Sequence, residues 1–314
     1  MRRAALGLIA AGALLAGCSA GSTPPLPTVA PSSSNPAPSS SAPPAPGCDD
    51  NNSTRVESYA PSQNGGGRVA AIKARGHLNV GVAADNLLFG YRNPFTGQLE
   101  GFDIDIANEV AKAIFGTASG HVEYVVENFA QRIPDLQSGK VDMVADIMTI
   151  NCARWGQIAF STEYFHAGQQ VLVRTNAPYK SIQDLNGKKV CTAKGSTGNQ
   201  NLTTRFPQVH RVVVDTISDC MVLFQQGSIE GIVSDNTVLN GFVSQDPYAH
   251  IVGPQFTNEP YGLGFNKSDV DFVRYVNAQL AKWRTDGAWA AIYHKWLPGA
   301  VPSAPPAVYG RALP

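Results

Sequence analysis

The 314-residue sequence has no excess of either charge: 24 Lys and Arg stand against 24 Asp and Glu, with no basic block and no acidic tail. That balance argues against nucleic acid and other highly charged polymers as partners. Cysteines number only five, with no Cys-x-x-Cys, and the six histidines do not gather near them. No metal site is expected from such spacings, and no cofactor is called for. Long hydrophobic runs are also lacking. The apolar stretch from Ala4 to Ala16 is too short to span a bilayer as a mature helix, and none long enough follows it.

What is present at the start is an export signal. Arg2 and Arg3 precede the apolar run, which ends in Leu15-Ala16-Gly17-Cys18. This order resembles the bacterial lipobox, so residues 1–17 are expected as a lipoprotein signal peptide and Cys18 as the lipidated new N-terminus. An ordinary cleaved signal with a chance cysteine is the alternative. A lipid anchor (palmitate and related chains) removes the need for a membrane-spanning helix. Residues 18–67 are rich in Pro, Ser, Ala and Thr and lack apolar periodicity. Such a chain buries too little surface to offset its ordering entropy, and it is expected to be a tether. The folded body then runs over residues 68–298, ample for one large or two modest cores, with a Pro-rich tail at 299–314.

The body is organised around Phe129 to Arg154, FAQRIPDLQSGKVDMVADIMTINCAR. Pro134 fits the first turn of a short helix, and Gly139 closes it. VDMVAD reads as a buried strand whose far end delivers Asp146, Thr149 and Arg154 to one place. Ligands of open α/β sheets sit outside the carboxyl ends of strands, so this loop is a candidate site. The segment 136–146, LQSGKVDMVAD, is echoed by 224–235, FQQGSIEGIVSD. Two similar α/β lobes facing each other would explain the echo; the recurrence of helix–turn–strand units in any α/β protein is the plainer explanation. Upstream, Leu78, Val80 and Val82 suit a strand ending at Asp85. Turn residues follow at Asn93-Pro94 and Thr96-Gly97. Asp103 can N-cap a helix through Phe115, and 122–126 forms another strand. In an oxidising compartment the four cysteines beyond Cys18 allow three connectivities. Pairing within the second lobe joins Cys191 to Cys220 and leaves Cys48 with Cys152.

The order of these features is similar to that of the polar amino-acid solute-binding proteins of ABC importers, bacterial extracellular solute-binding proteins of family 3. The resemblance is carried by the strand ending at Asp85, by Gly101-Phe-Asp-Ile-Asp-Ile, Leu136-Gln-Ser-Gly-Lys-Val-Asp, Met148-Thr-Ile and Arg154. It continues through Phe160-Ser-Thr-Glu-Tyr-Phe, Ile182-Gln-Asp-Leu-Asn-Gly, Gly195-Ser-Thr, Ser234-Asp235, Tyr261-Gly-Leu-Gly-Phe and Asp286-Gly-Ala-Trp. Cys191, Gly195-Ser-Thr and Cys220 together resemble most the actinobacterial glutamate-binding lipoproteins. The resemblance implies an α/β, two-lobe periplasmic-binding-protein-like fold of type II with a two-strand hinge. Lobe 1 would comprise residues 68–165 and 260–298, and lobe 2 residues 166–259.

It also implies a site. Arg154 would take the ligand α-carboxylate with its planar fork, helped by the backbone at Ser196 and Thr197. Asp235 would take the α-ammonium, and Thr149 would hydrogen-bond the ligand. Asp85 would line the side chain or amino group, or else cap its own loop. Phe129 would wall the pocket. Arg132 and Arg92, with Lys194 as a third candidate, would face a ligand carboxylate, which favours glutamate or aspartate over glutamine or asparagine. The chain departs from the family at Ile147, where glycine is common, at Asp146, and at Cys152. The expected function is non-enzymatic: a lipid-anchored, monomeric protein on the outer face of the cell membrane. It would capture an amino acid and present it to an ABC permease. A sensor lipoprotein signalling to a membrane receptor stands beside this reading, and an enzyme on the same fold stands behind both.

Overall fold

The computed structural model describes residues 56–299 and 301–314. The export signal at 1–17, Cys18, most of the tether and Cys48 lie outside the described residues. Lobe 1 opens with α1 (Gly66–Arg75) and β1 (Leu78–Val82), followed by a small sheet of β2 (Asp85–Asn86), β3 (Gly90–Arg92) and β4 (Leu99–Glu100). Then come α2 (Phe102–Phe115), β5 (Val122–Val126), α3 (Arg132–Ser138), β6 (Met143–Val144), α4 (Cys152–Trp155) and β7 (Ala159–Phe160). The chain leaves through β8 (Phe165–Ala167). Lobe 2 holds β9 (Gln169–Arg174), β10 (Lys189–Ala193), α5 (Thr197–Thr204), β11 (His210–Val214), α6 (Ile217–Gln225), β12 (Gly231–Asp235), α7 (Asn236–Gln245) and β13 (Ala249–Val252). The chain returns through β14 (Glu259–Tyr261) and β15 (Gly264–Phe265), then ends in α8 (Val270–Asp286) and α9 (Ala288–Trp296).

The two main sheets repeat one plan. Lobe 1 has the order β5-β1-β6-β15-β7 and lobe 2 the order β11-β10-β12-β9-β13. In each, the first pairs are parallel and a strand arriving from the hinge side adds antiparallel pairs. The echoed segments thus become β6 and β12, each the middle strand of its sheet. Both are wholly buried, as strands covered on both faces must be, which explains their unbroken apolar runs. The lobes are joined by β8 and β14, which pair antiparallel with Phe165 opposite Tyr261 and Ala167 opposite Glu259. This is a mixed α/β fold with a two-strand hinge.

Several local expectations are corrected. The helix α2 is capped at Gly101, not Asp103, because Asp103 is turned inward. Its Oδ2 accepts from Ile147 N–H at 2.8 Å and its Oδ1 from the Tyr164 hydroxyl at 2.7 Å. The strand expected over VDMVAD shortens to Met143–Val144, because the backbone turns at Ile147, whose φ is 38°. A β-branched residue in that left-handed region is strained by about 1–3 kcal/mol.

The tether also stops short of residue 67. Ser58 is fully buried and its hydroxyl donates to Phe160 O at 2.7 Å, while Tyr59 meets Trp155 edge-on. Nor does the tail hang free: Tyr309 pairs with Ser58, and the Arg311 guanidinium lies 3.6 Å over the Trp155 ring. Asn277 of α8 fastens this corner, donating to Ser58 Oγ and Tyr59 O and accepting from Thr162 N–H. Cys191 of β10 and Cys220 of α6 form a disulfide with Cα atoms 5.5 Å apart. Cys152 is disulfide-bonded as well.

Candidate functional site

The carboxyl ends of β6, β10 and β12 converge on one partly open cleft between the lobes. From lobe 1 the loop after β6 contributes Ile147 and Thr149, α4 contributes Arg154, and the start of α3 contributes Arg132 and Phe129 beside it. From lobe 2 come the first residues of α5, with Asp235 at the end of β12.

Arg154 is placed by a single helical turn. Asn151 caps α4, its side chain accepting from Arg154 N–H at 2.9 Å. The guanidinium then donates to Thr149 O at 2.7 Å and, across the cleft, to Gly195 O at 3.1 Å. Arg132 lies alongside, 2% exposed, its guanidinium carbon 4.4 Å from the centre of the Phe129 ring. It donates to Phe129 O, Asp146 O and Gly195 O. Two buried guanidinium groups therefore share one carbonyl oxygen from the opposite lobe. Burial, and next the like charge of Arg132, hold Arg154 below the usual arginine range. An anion placed between the two would relieve both costs.

On the lobe 2 side, Ser196 caps α5 and accepts from Asn199 N–H at 3.0 Å. The N-terminal N–H groups of α5 border the cleft, where they favour negative charge. Gly198 lets the helix start sit close to its sheet: a Cβ there would come within 2.9 Å of Thr192 Oγ1. Gly195 has φ 76°, and a Cβ there would fall 2.7 Å from Ala130 Cα in lobe 1. Asp235 is 8% exposed and accepts from the Tyr261 hydroxyl at 2.8 Å; that hydroxyl also pairs with Thr237. Burial, then the charge of Glu259, raises the Asp235 carboxyl above its usual range.

The remaining candidates from the sequence divide. Asp85 is outside the cleft lining; its Oδ2 instead accepts from Ser218 N–H at the start of α6, 3.4 Å away across the lobes. Arg92 is exposed and donates to Gly97 O in its own turn, so it does not face the cleft. Lys194 is also exposed, with Asp215 4.0 Å away. Glu259, where the chain returns through the hinge, has no place among the candidates from the sequence, yet its Oε2 accepts from Thr149 Oγ1 at 2.6 Å and Thr197 Oγ1 at 2.9 Å. One hinge carboxylate thereby ties a hydroxyl of each lobe. Gln169 adds a further strut, donating to Thr197 Oγ1 and accepting from Asn201.

Known proteins share this fold and much of this sequence. Residues 78–299 match the bacterial extracellular solute-binding proteins, family 3. The chain is 35% identical over 230 residues to the ABC transporter glutamine-binding protein GlnH of Bacillus subtilis, covering 73% of this chain and 84% of that one. It is 32% identical over 239 residues to the glutamate-binding protein GluB of Corynebacterium efficiens, covering 73% and 81%. Among solved structures, an ancestral arginine-binding protein bound to glutamine superposes with a TM-score of 0.67 at 38% identity, over 71% of this chain and 98% of that one. A fold of two repeated lobes on a two-strand hinge, with that match over most of its described length, assigns the chain to the bacterial extracellular solute-binding proteins of family 3.

Proposed function

We propose that the protein captures a free amino acid between its lobes and presents it to an ABC permease, anchored to the outer face of the cell membrane through Cys18. The observation that carries this reading is that Arg154 of lobe 1 and, from lobe 2, the α5 N-terminus and Asp235 line one cleft. An amino acid offers a carboxylate and an ammonium, and burying both requires each to be matched. Arg154 and the N–H groups at Thr197 and Gly198 suit the first, and Asp235 suits the second. Thr149 is held ready by Glu259. A micromolar complex needs about 8 kcal/mol, a scale that a few charge-assisted bonds in a dry cleft supply.

For the ligand side chain, Arg132 supports an acidic amino acid, glutamate or aspartate. One observation favours the amide reading: Arg132 already has an ion-pair partner in Asp146, 3.9 Å from its Nε. A thermal-shift screen of the exported domain against the common amino acids tests the proposal, since a ligand that binds the native state raises its melting point. No shift with any of them would overturn it. Arg132→Gln is expected to weaken acidic ligands by about tenfold more than amides, the scale of one charge-assisted hydrogen bond. Equal loss in titration calorimetry would remove Arg132 from the side-chain pocket.

Lobe closure makes a separate demand on Gly195. In the closed arrangement a side chain there meets the backbone of Ala130, which no rotamer change can relieve. Gly195→Ala is expected to cost the closed form about 1–3 kcal/mol, as overpacking does, and to lower affinity at least about tenfold. An unchanged dissociation constant would show that the lobes need not approach this closely to hold the ligand.

A further inference from the structure

Asp146 has no role in ligand capture as described so far, although it sits directly beneath the cleft. It is 1% exposed, and neither of its carboxylate oxygens has a hydrogen-bond partner. Its ion pair with Arg132, at 3.9 Å, is too long to be a hydrogen bond. The charged or chargeable groups that act on Asp146 are Arg132 from α3, Asp103 from α2, Asp85 from β2 and Arg154 from α4. Glu127, which follows β5, also faces Asp146 and Arg132, together with Asp135 of α3, and Lys140 lies beyond. Both Glu127 oxygens are buried without a hydrogen bond, folded over Gly81, where a side chain would displace them. Arg132 is thus the nearest cation to a set of buried carboxyls, and it is the same guanidinium that borders the cleft.

We infer that Asp146 sets which side-chain charge the cleft accepts, acting through Arg132 as a positioning and charge-compensating residue. With Asp146 ionised, Arg132 is neutralised from behind and the cleft suits an uncharged amide. With Asp146 protonated, the guanidinium charge is left for a ligand carboxylate. The inference rests on the amino-acid reading of the cleft given above. Burial is the main reason that the switch falls in an accessible range: it pushes the Asp146 carboxyl up to about 7, Asp103 up to about 7 and Glu127 up to about 9. The sign follows from linkage. A carboxylate ligand favours the protonated form of Asp146, so its binding takes up a proton once Asp146 has ionised. Its affinity therefore falls with rising pH, by up to about tenfold per pH unit, while the affinity for the amide does not fall with it. The glutamate side chain itself, with a pKa of about 4.3, stays ionised throughout. Asp235, also raised by burial, would meet the α-ammonium that both ligands share, and Arg132 is the last of the charges acting on it, so its titration moves both affinities mainly together.

The test is titration of the exported domain with glutamate and with glutamine at about pH 5.5, 7 and 8.5, a span across the Asp146 range. The ratio of glutamate to glutamine affinity is expected to fall at least about tenfold over that span, following the linkage slope. In Asp146→Asn the ratio is expected to lose most of its pH dependence and to stay near its acid-favouring value, with Asp103 and Glu127 accounting for what remains. A flat ratio in the native protein overturns the inference without any variant, and so does a variant whose ratio still changes as much as the native one. Failure of both ligands to bind at every pH would overturn the amino-acid reading and this inference with it.

Discussion

Replacing Arg154 with alanine is expected to bring amino-acid binding below detection in titration calorimetry. Arg154 is 7% exposed, and its guanidinium is anchored by Thr149 O on one side and Gly195 O on the other. Truncating it leaves a ligand carboxylate buried with only the α5 N-terminus to receive it. Breaking a buried ion pair in this way costs about 3–5 kcal/mol. At about 1.4 kcal/mol per factor of ten, that is a loss of a hundredfold to several-thousandfold. The ligand-free protein should respond differently. There Arg154 is a buried cation pressed by a second one, so its removal sheds a desolvation cost as well as two hydrogen bonds, and the melting temperature should move little. Arg154→Lys keeps the charge but not the planar fork, and it should recover only part of the affinity. An alanine variant that binds within tenfold of the native protein would place the ligand carboxylate elsewhere.

Much of this cleft could be read from local chemistry. Pro134 and Gly139 bracket α3 as their backbone preferences require, and the echo between 136–146 and 224–235 marks the two middle strands. Arg154, Thr149, Ser196, Thr197 and Asp235 come together because each lies at, or on the segment after, the carboxyl end of β6, β10 or β12. Legibility fails where a side chain's partner is distant in sequence. Asp103 looks like a helix cap, but its partners are Ile147 and Tyr164, 44 and 61 residues away. Glu259 carries no motif of its own, and its two hydroxyl donors lie 110 and 62 residues back. Arg92 and Arg132 are chemically alike, and only the tertiary fold turns one to solvent and the other into the cleft. The departures at Asp146 and Ile147 were visible in the chain, but their meaning was not. Ile147 occupies a left-handed backbone position that glycine would take without strain, and Asp146 lies beneath the arginine that borders the ligand space.

Removing the Cys191–Cys220 disulfide, by replacing both residues with alanine, is expected to lower stability by about 3–4 kcal/mol, from the closure of a 29-residue loop in the unfolded chain. For a domain of this size each kcal/mol moves the melting temperature by about 2–4 °C, so a fall of about 6–16 °C should appear in a thermal scan. A fall under about 2 °C would mean that the bridge adds nothing beyond what packing of α6 on β10 supplies. The bridge also reaches the candidate site. It fastens β10, which runs directly into the Gly195–Ser196 turn, to α6, whose first turn meets Asp85 of lobe 1. Ligand separates the two effects. At a hundred times its dissociation constant, a ligand stabilises the native state by about 2.7 kcal/mol whatever the unfolded state is doing. If the disulfide acts only on the unfolded chain, that ligand-induced rise should survive in the variant at full size. If it also holds the turn in shape for the carboxylate, the affinity falls too, and the same ligand concentration should produce a smaller rise.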